Sequence, residues 1–153
     1  GALHDSRLVA RRFDWQQLVV VASPAYLERR GTPRRVEDLS GHETILFRLP
    51  STGRNRAWQL RAGRRSVELL PEHSVQVNDG DGMVAAAVLG LGVMQIPDYM
   101  VADEVARGAL VEVLQGHRPA PMPISAVVPS LRLMPPRVRL VLDALQELDA
   151  CRR

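Results

Sequence analysis

The residues best placed for chemistry stand together in Val77-Asn78-Asp79-Gly80-Asp81-Gly82, where a strand gives way to a helix. Asn78 and Asp79 offer side-chain oxygens to the free N–H groups of a helix start. Gly80 and Gly82, in the first turn, leave backbone N–H groups uncovered, so a bound group could approach closely. The helix start therefore reads as a docking point. Asp79 and Asp81 limit what could dock, because their charges suit the helix dipole but repel a carboxylate or phosphate brought to the same end. They are also a carboxylate pair of the type used in acid–base catalysis, although capping explains them more simply. An ordinary strand–helix–strand packing unit accounts for most of the same residues.

Other chemistry finds little footing. His4, His42, His73 and His117 are widely separated, and none stands three or four residues from another His, Cys or paired carboxylate. No metal signature is present, and these residues read as surface or capping groups. Cys151 is the single cysteine and lies near the C-terminus, a poor place for a nucleophile. Its isolation agrees with a reducing compartment. There is no G-x-S-x-G elbow, Walker loop or kinase set. Gly90-Leu91-Gly92 is not a dinucleotide fingerprint, since it follows a helix where the fingerprint must follow a strand. No cofactor is expected, and an enzyme reading has little behind it.

The elements that position these residues can be read from pattern. Residues 75–97 (VQVNDGDGMVAAAVLGLGVMQIP) run from strand through helix to strand. Val75 and Val77 alternate with polar neighbours as in a half-buried strand. Met83 to Leu91 is apolar on every side and so predicts a helix packed against a sheet, ended by Gly90 and Gly92 before a short strand from Val93 to Pro97. Upstream, residues from Leu8 to Phe13 and from Leu18 to Ala22 read as strands. Ser23 caps a helix that Pro24 opens and Gly31 closes. Val36 to Leu39 makes one helical turn, and His42 to Arg48 is a strand followed by a polar loop from Leu49 to Asn55. Loops at strand ends often carry sites. Ala57 to Leu60 and Ser66 to Leu69 form a hairpin around Ala62-Gly63, with Trp58 and Leu60 on one face. Asp98 caps a helix through Ala106, Leu110 to Leu114 is a strand, Gln115 to Pro123 connects, and Ile124 to Val128 is the last strand. Pro135-Pro136 opens a final helix whose stripe of Val138, Val141, Leu142, Leu145 and Leu148 needs a sheet to cover it. The alternation predicts an α/β fold.

With 153 residues and 46% hydrophobic content, the chain can bury a core as one domain or two small lobes. Its apolar runs are too short to cross a bilayer, and GALHDSRL has neither a basic leader nor an apolar signal core, so a soluble, cytoplasmic protein without a membrane partner is expected. The first residue, Gly1, suggests a fragment or a processed chain. All 20 basic residues are Arg, as the coding bias of a GC-rich bacterium would give. Residues 1–65 carry thirteen Arg against six acids, and residues 66–153 seven against eleven. The basic half could face nucleic acid. However, its Arg pairs fall in different elements and the chain has only six aromatics, so direct nucleic-acid binding is not expected.

An ordered set of motifs resembles the effector-binding domain of LysR-type transcriptional regulators. It comprises Leu8-Val9-Ala10-Arg11-Arg12, Val21-Ala22-Ser23-Pro24-Ala25-Tyr26-Leu27, Gly31-Thr32-Pro33, Asp38-Leu39-Ser40-Gly41-His42, Val77-Asn78-Asp79-Gly80, Gly90-Leu91-Gly92-Val93, Ile96-Pro97, Gly108-Ala109-Leu110-Val111 and Pro135-Pro136-Arg137-Val138-Arg139. The resemblance covers nearly the whole chain. It implies an α/β fold like the type 2 periplasmic binding proteins, with one complete lobe plus part of the other. Residues 20–128 would form the second lobe, with crossover strands at about 20–22 and 124–128, and residues 1–19 and 129–153 part of the first. By position, the resemblance assigns effector contacts to Phe47, Arg48 and Leu49, and also to Asn78, Asp79 and Gly80. Arg48 adds a physical reason, because its fork could grip a carboxylate bidentately and offset the repulsion from Asp79.

The implied partners are a small, anionic effector held in a cleft between lobes and further copies of the chain in a homo-oligomer. DNA would be reached only through an N-terminal winged helix-turn-helix that lies outside these residues. The competing readings are a solute-binding module for transport, which would need an export signal and both complete lobes, and a small enzyme.

Overall fold

The computed structural model describes residues 9–128 and 135–151, in two compact units. One spans Gln17–Ala120, and the other contains residues up to Gln16 and from Pro121 onward. The divisions expected from the sequence fall at 19/20 and 128/129.

The unit Gln17–Ala120 is built on a five-stranded sheet in the order β6-β3-β7-β2-β8. Its strands are β2 (Leu18–Ala22), β3 (Thr44–Phe47), β6 (Ser74–Val77), β7 (Val93–Pro97) and β8 (Val111–Val113). β3 runs parallel to both β6 and β7, and β2 runs antiparallel to β7 and β8. β2 lies inside the sheet with both faces covered, which is why it reads as an unbroken apolar run. Val20 and Ala22 join one core with Tyr26, Leu39, Leu46, Trp58 and Leu60, while Val19 and Val21 join the opposite core with Ile45, Met83, Ala87 and Met94. The alternation within five residues sorts the chain into two apolar layers.

α1 (Pro24–Arg30) follows β2 and starts where Ser23 Oγ accepts the Tyr26 N–H. It ends at Gly31, whose φ of 86° suits glycine. A 3₁₀ segment at Val36–Gly41 leads to β3, and the hairpin β4 (Trp58–Ala62) and β5 (Arg65–Leu69) buries Trp58 and Leu60 on one face as expected. α2 (Gly80–Val88) is capped by Asp79. Its apolar surface is not buried all round: Met83 and Ala87 are buried, while Ala85 and Leu89 are exposed. Gly92 is required by close packing, since a Cβ there would collide with the Glu43 carbonyl, 2.8 Å from its carbon.

One expectation is corrected in this unit. The single helix expected from Asp98 to Ala106 is a 3₁₀ turn at Asp98–Met100 and a separate α3 (Ala102–Ala106). The Asp98 carboxylate accepts from Tyr99 N at 2.9 Å and Gln17 N at 3.2 Å, so it ties the turn to the start of β2 and does not cap a longer helix. His42, expected at the surface or as a cap, is the C-cap of the 3₁₀ segment, its N–H donating to Leu39 O at 3.1 Å, and it is buried with 8% exposure.

In the other unit β1 (Val9–Gln16) pairs antiparallel with β9 (Met122–Val128), with a register shift between Arg12 and Asp14. α4 (Pro136–Cys151) carries Asp143, which pairs with Arg11 at 3.1 Å. Of the expected stripe, Leu142 is buried, Val138 is half-buried and Val141 is exposed, while the side chains of Leu145 and Leu148 lie outside the described residues. The Leu8 end of the first strand also lies outside them.

Candidate functional site

β3 and β6 run parallel with Phe47 opposite Val77, so the segments that leave their carboxyl ends begin side by side. Ligands favour this end of strands in α/β sheets. Arg48 N donates to Val77 O at 2.8 Å, which continues the pairing by one step and holds Arg48 beside Asn78. The loop beyond Arg48 closes on itself. Leu49 N donates to Arg54 O, Gly53 N to Leu49 O, and Arg56 N to Phe47 O. Gly53 takes φ 67°, a left-handed conformation that glycine adopts without strain.

A groove of about 420 Å³ opens between these segments, lined by Arg48, Leu49, Pro50, Gly53, Gln76 and Asn78. Arg48 Nε donates to Gly53 O at 3.1 Å, so one edge of the guanidinium is anchored to the loop. Its terminal nitrogens have no hydrogen-bond partner among the described residues. A guanidinium held in this way can meet a carboxylate with two parallel N–H groups.

Of the residues singled out from sequence, Arg48, Leu49 and Asn78 line the groove, and Phe47, Asp79 and Gly80 do not. Phe47 is half-buried and packs into the core that contains Met83 and Ile96. Asp79 accepts from Gly82 N at 2.7 Å, so its charge is engaged at the helix start. Of the two helix-start glycines, Gly82 has its N–H taken by Asp79. A Cβ at Gly80 would collide with the Met100 side chain, and one at Gly82 would lie 3.1 Å from Val77 Cγ1. These glycines make room for neighbouring side chains. Pro50, Gly53 and Gln76 carry no individual signal in the sequence, although the first two lie in the polar loop where a site is expected. Gln76 left no signal of its own, because only the parallel pairing brings β6 beside that loop.

Among the described residues no group of three or more His, Cys, Asp or Glu side chains could hold a metal ion. No described helix is long and apolar enough to cross a membrane.

The family model for the LysR substrate binding domain matches residues 1–150. The chain belongs to the LysR substrate-binding domain family. It is 32% identical over 146 residues to the uncharacterized HTH-type transcriptional regulator YhjC of Escherichia coli K12, covering 95% of this chain and 48% of that protein. It is 30% identical over 148 residues to the HTH-type transcriptional activator AaeR of the same organism, covering 96% and 47%. The solved CrgA regulatory domain of Neisseria meningitidis, a LysR-type transcriptional regulator, superposes with a TM-score of 0.77 at 29% identity, covering 95% of this chain and 71% of that one. The chain thus spans about half the length of the curated relatives it matches. It is a LysR-type effector-binding domain with the periplasmic-binding-protein-like α/β fold of such regulatory domains. The relatives are bacterial transcriptional regulators, so the transport reading is not favoured.

Proposed function

We propose that this LysR-type domain senses a small anionic metabolite at the groove beyond β3 and β6, and that binding there controls DNA recognition by a winged helix-turn-helix outside these residues. The observation that carries the reading is the Arg48 guanidinium, anchored through Nε to Gly53 O and otherwise open among the described residues. An anion of carboxylate type would take its paired N–H groups, while Asn78 and Gln76 select among the remaining polar groups of the ligand. Asp79 opposes this less than its position in sequence suggests, because it serves as a helix cap and does not line the groove.

In this reading Gln17–Ala120 is a whole lobe and the other unit part of its counterpart, joined through the chain near Gln16-Gln17 and Ala120-Pro121. The protein works in the cytoplasm as a homo-oligomer, the effector shifts its conformational populations, and it performs no catalysis.

Titration calorimetry of a panel of aliphatic and aromatic monocarboxylates, with the wild-type chain and Arg48→Ala, tests the reading. Loss of a charge-assisted pair of ~1.5–3 kcal/mol weakens binding by about 10- to 150-fold. A carboxylate that binds with equal affinity after Arg48→Ala would overturn the proposal.

A further inference from the structure

A second cavity, of about 350 Å³, lies at the opposite end of the same two strands, where β3 and β6 begin. Val36, Leu39, Leu69, Leu70 and Pro71 form apolar walls, and Glu37, Ser40, His42, Glu72 and His73 supply the polar lining. The walls come from the 3₁₀ segment before β3 and from the turn between β5 and β6. They are tied together by Thr44, whose N and Oγ1 both donate to His73 O, at 2.9 and 3.0 Å. The volume falls at the lower end of the range for small-molecule pockets.

The protonation of His42 follows from its neighbours. Tyr26 Oη lies 2.9 Å from Glu43 Oε2, 3.0 Å from Glu43 N and 3.0 Å from His42 Nδ1. The Glu43 carboxyl is held below its ordinary pKa by its own backbone N–H and by Tyr26, so it is an ionised acceptor. The single hydroxyl proton of Tyr26 therefore goes to Glu43. Tyr26 Oη must then accept from both Glu43 N–H and His42 Nδ1–H. Burial, reinforced by Arg30, lowers the His42 pKa and favours its neutral form. The proton of neutral His42 sits on Nδ1, which leaves Nε2 as a lone-pair acceptor without a hydrogen-bond partner among the described residues. His42 is more than nine-tenths buried and is one of the residues lining the cavity.

We propose that this cavity is a second small-molecule site, distinct from the groove at Arg48, for an uncharged, largely apolar aromatic molecule whose hydroxyl donates to His42 Nε2. Five apolar side chains receive the ring, and Nε2 asks for a donor. Glu37 and Glu72 at the lining repel carboxylates, which is the opposite selectivity to that of the Arg48 groove. The two sites share no lining residue.

The test is a titration of the full chain, labelled with ¹⁵N, using 2-naphthol, 2-methoxynaphthalene and 2-naphthoate, read at the His42 ring nitrogens and at the Asn78 and Leu49 amides. 2-Naphthol should move the His42 Nε2 resonance. Replacing its hydroxyl by methoxy removes one neutral hydrogen bond and should weaken binding about 3- to 10-fold. 2-Naphthoate should leave His42 unperturbed, and any shift it causes should fall at Asn78 and Leu49. Leu70→Trp places an indole at the exposed mouth of the cavity and should abolish the His42 response without lowering the melting temperature. The proposal is overturned if 2-naphthol leaves His42 unmoved, if the three probes bind it alike, or if Leu70→Trp responds as wild type. Failure of carboxylates at Arg48 would refute the effector reading and leave this one standing.

Discussion

Tyr26→Phe keeps the buried ring and removes only the hydroxyl at the centre of the Tyr26–His42–Glu43 network. Tyr26 is fully buried, and its ring lies 5.8 Å from that of His42. Phenylalanine can fill the same volume, so the loss is one of hydrogen bonding. Three polar groups lose a partner, and their costs differ. The Glu43 carboxylate is exposed, keeps Arg30 at 3.1 Å and can take water in exchange, so its share is small. The buried His42 Nδ1–H is left without an acceptor, at ~1–2 kcal/mol, and the Glu43 N–H keeps only its own carboxylate, at ~1 kcal/mol. No hydroxyl must then be desolvated, which returns part of the loss. The net expectation is a destabilisation of ~2–3 kcal/mol, measured by equilibrium urea unfolding with the slope unchanged. A loss below ~0.5 kcal/mol would mean that the hydroxyl is not the hub inferred here. The tautomer has a check of its own, since the ¹⁵N spectrum of wild-type His42 should show a protonated Nδ1 and an unprotonated Nε2. The reverse assignment would refute the inference drawn from the hydroxyl proton.

Gly92→Ala places a methyl group against the Glu43 carbonyl and should cost ~1–3 kcal/mol in urea unfolding, because backbone and not a flexible side chain must give way. Asp79→Ala removes the acceptor for Gly82 N and should cost ~0.5–2 kcal/mol, whereas Asp79→Asn should cost much less because Asn caps as well as Asp. The His42 pKa is lowered in the folded chain, so between pH 6.5 and its folded value the unfolded chain binds more protons. Stability should therefore fall as pH drops below about 6.5, and His42→Gln should flatten that limb of the urea midpoint against pH. Asp38 is lowered by hydrogen bonds from the Arg34 and Arg35 backbone N–H groups. Its contribution is full above its unfolded pKa and is lost as pH falls through the folded one, so Asp38→Asn should reduce the acid-limb slope only below about pH 4.

Much of the candidate groove was legible in sequence because it depends on neighbours along the chain. The polar loop after β3 announces itself by its composition at a strand end, and it folds back through bonds between residues no more than nine apart, such as Arg56 N to Phe47 O. The ordered motifs pointed to the family that the comparisons identify, and with it to Arg48, Leu49 and Asn78. Gln76 was invisible, since nothing in Ser74–Val77 says which strand it will pair with. The second cavity was hidden for the same reason. Its two walls are about thirty residues apart and meet only because β3 and β6 are adjacent.

The sequence by itself determined the local pieces: the doubly covered β2 through its unbroken apolar run, the limits of α1 through Ser23 and Gly31, the hairpin face of Trp58 and Leu60, and the cap at Asp79. Each rests on spacing or backbone preference within a few residues. Tertiary structure alone decided the strand order, the burial of His42, the tether of Asp98 to Gln17, the exposure of Leu89 and the meeting of Arg48 with Gln76. Those depend on which distant surfaces exclude water together. A local pattern states that an apolar face must be covered, but the partner that covers it is selected by the packing of the whole unit.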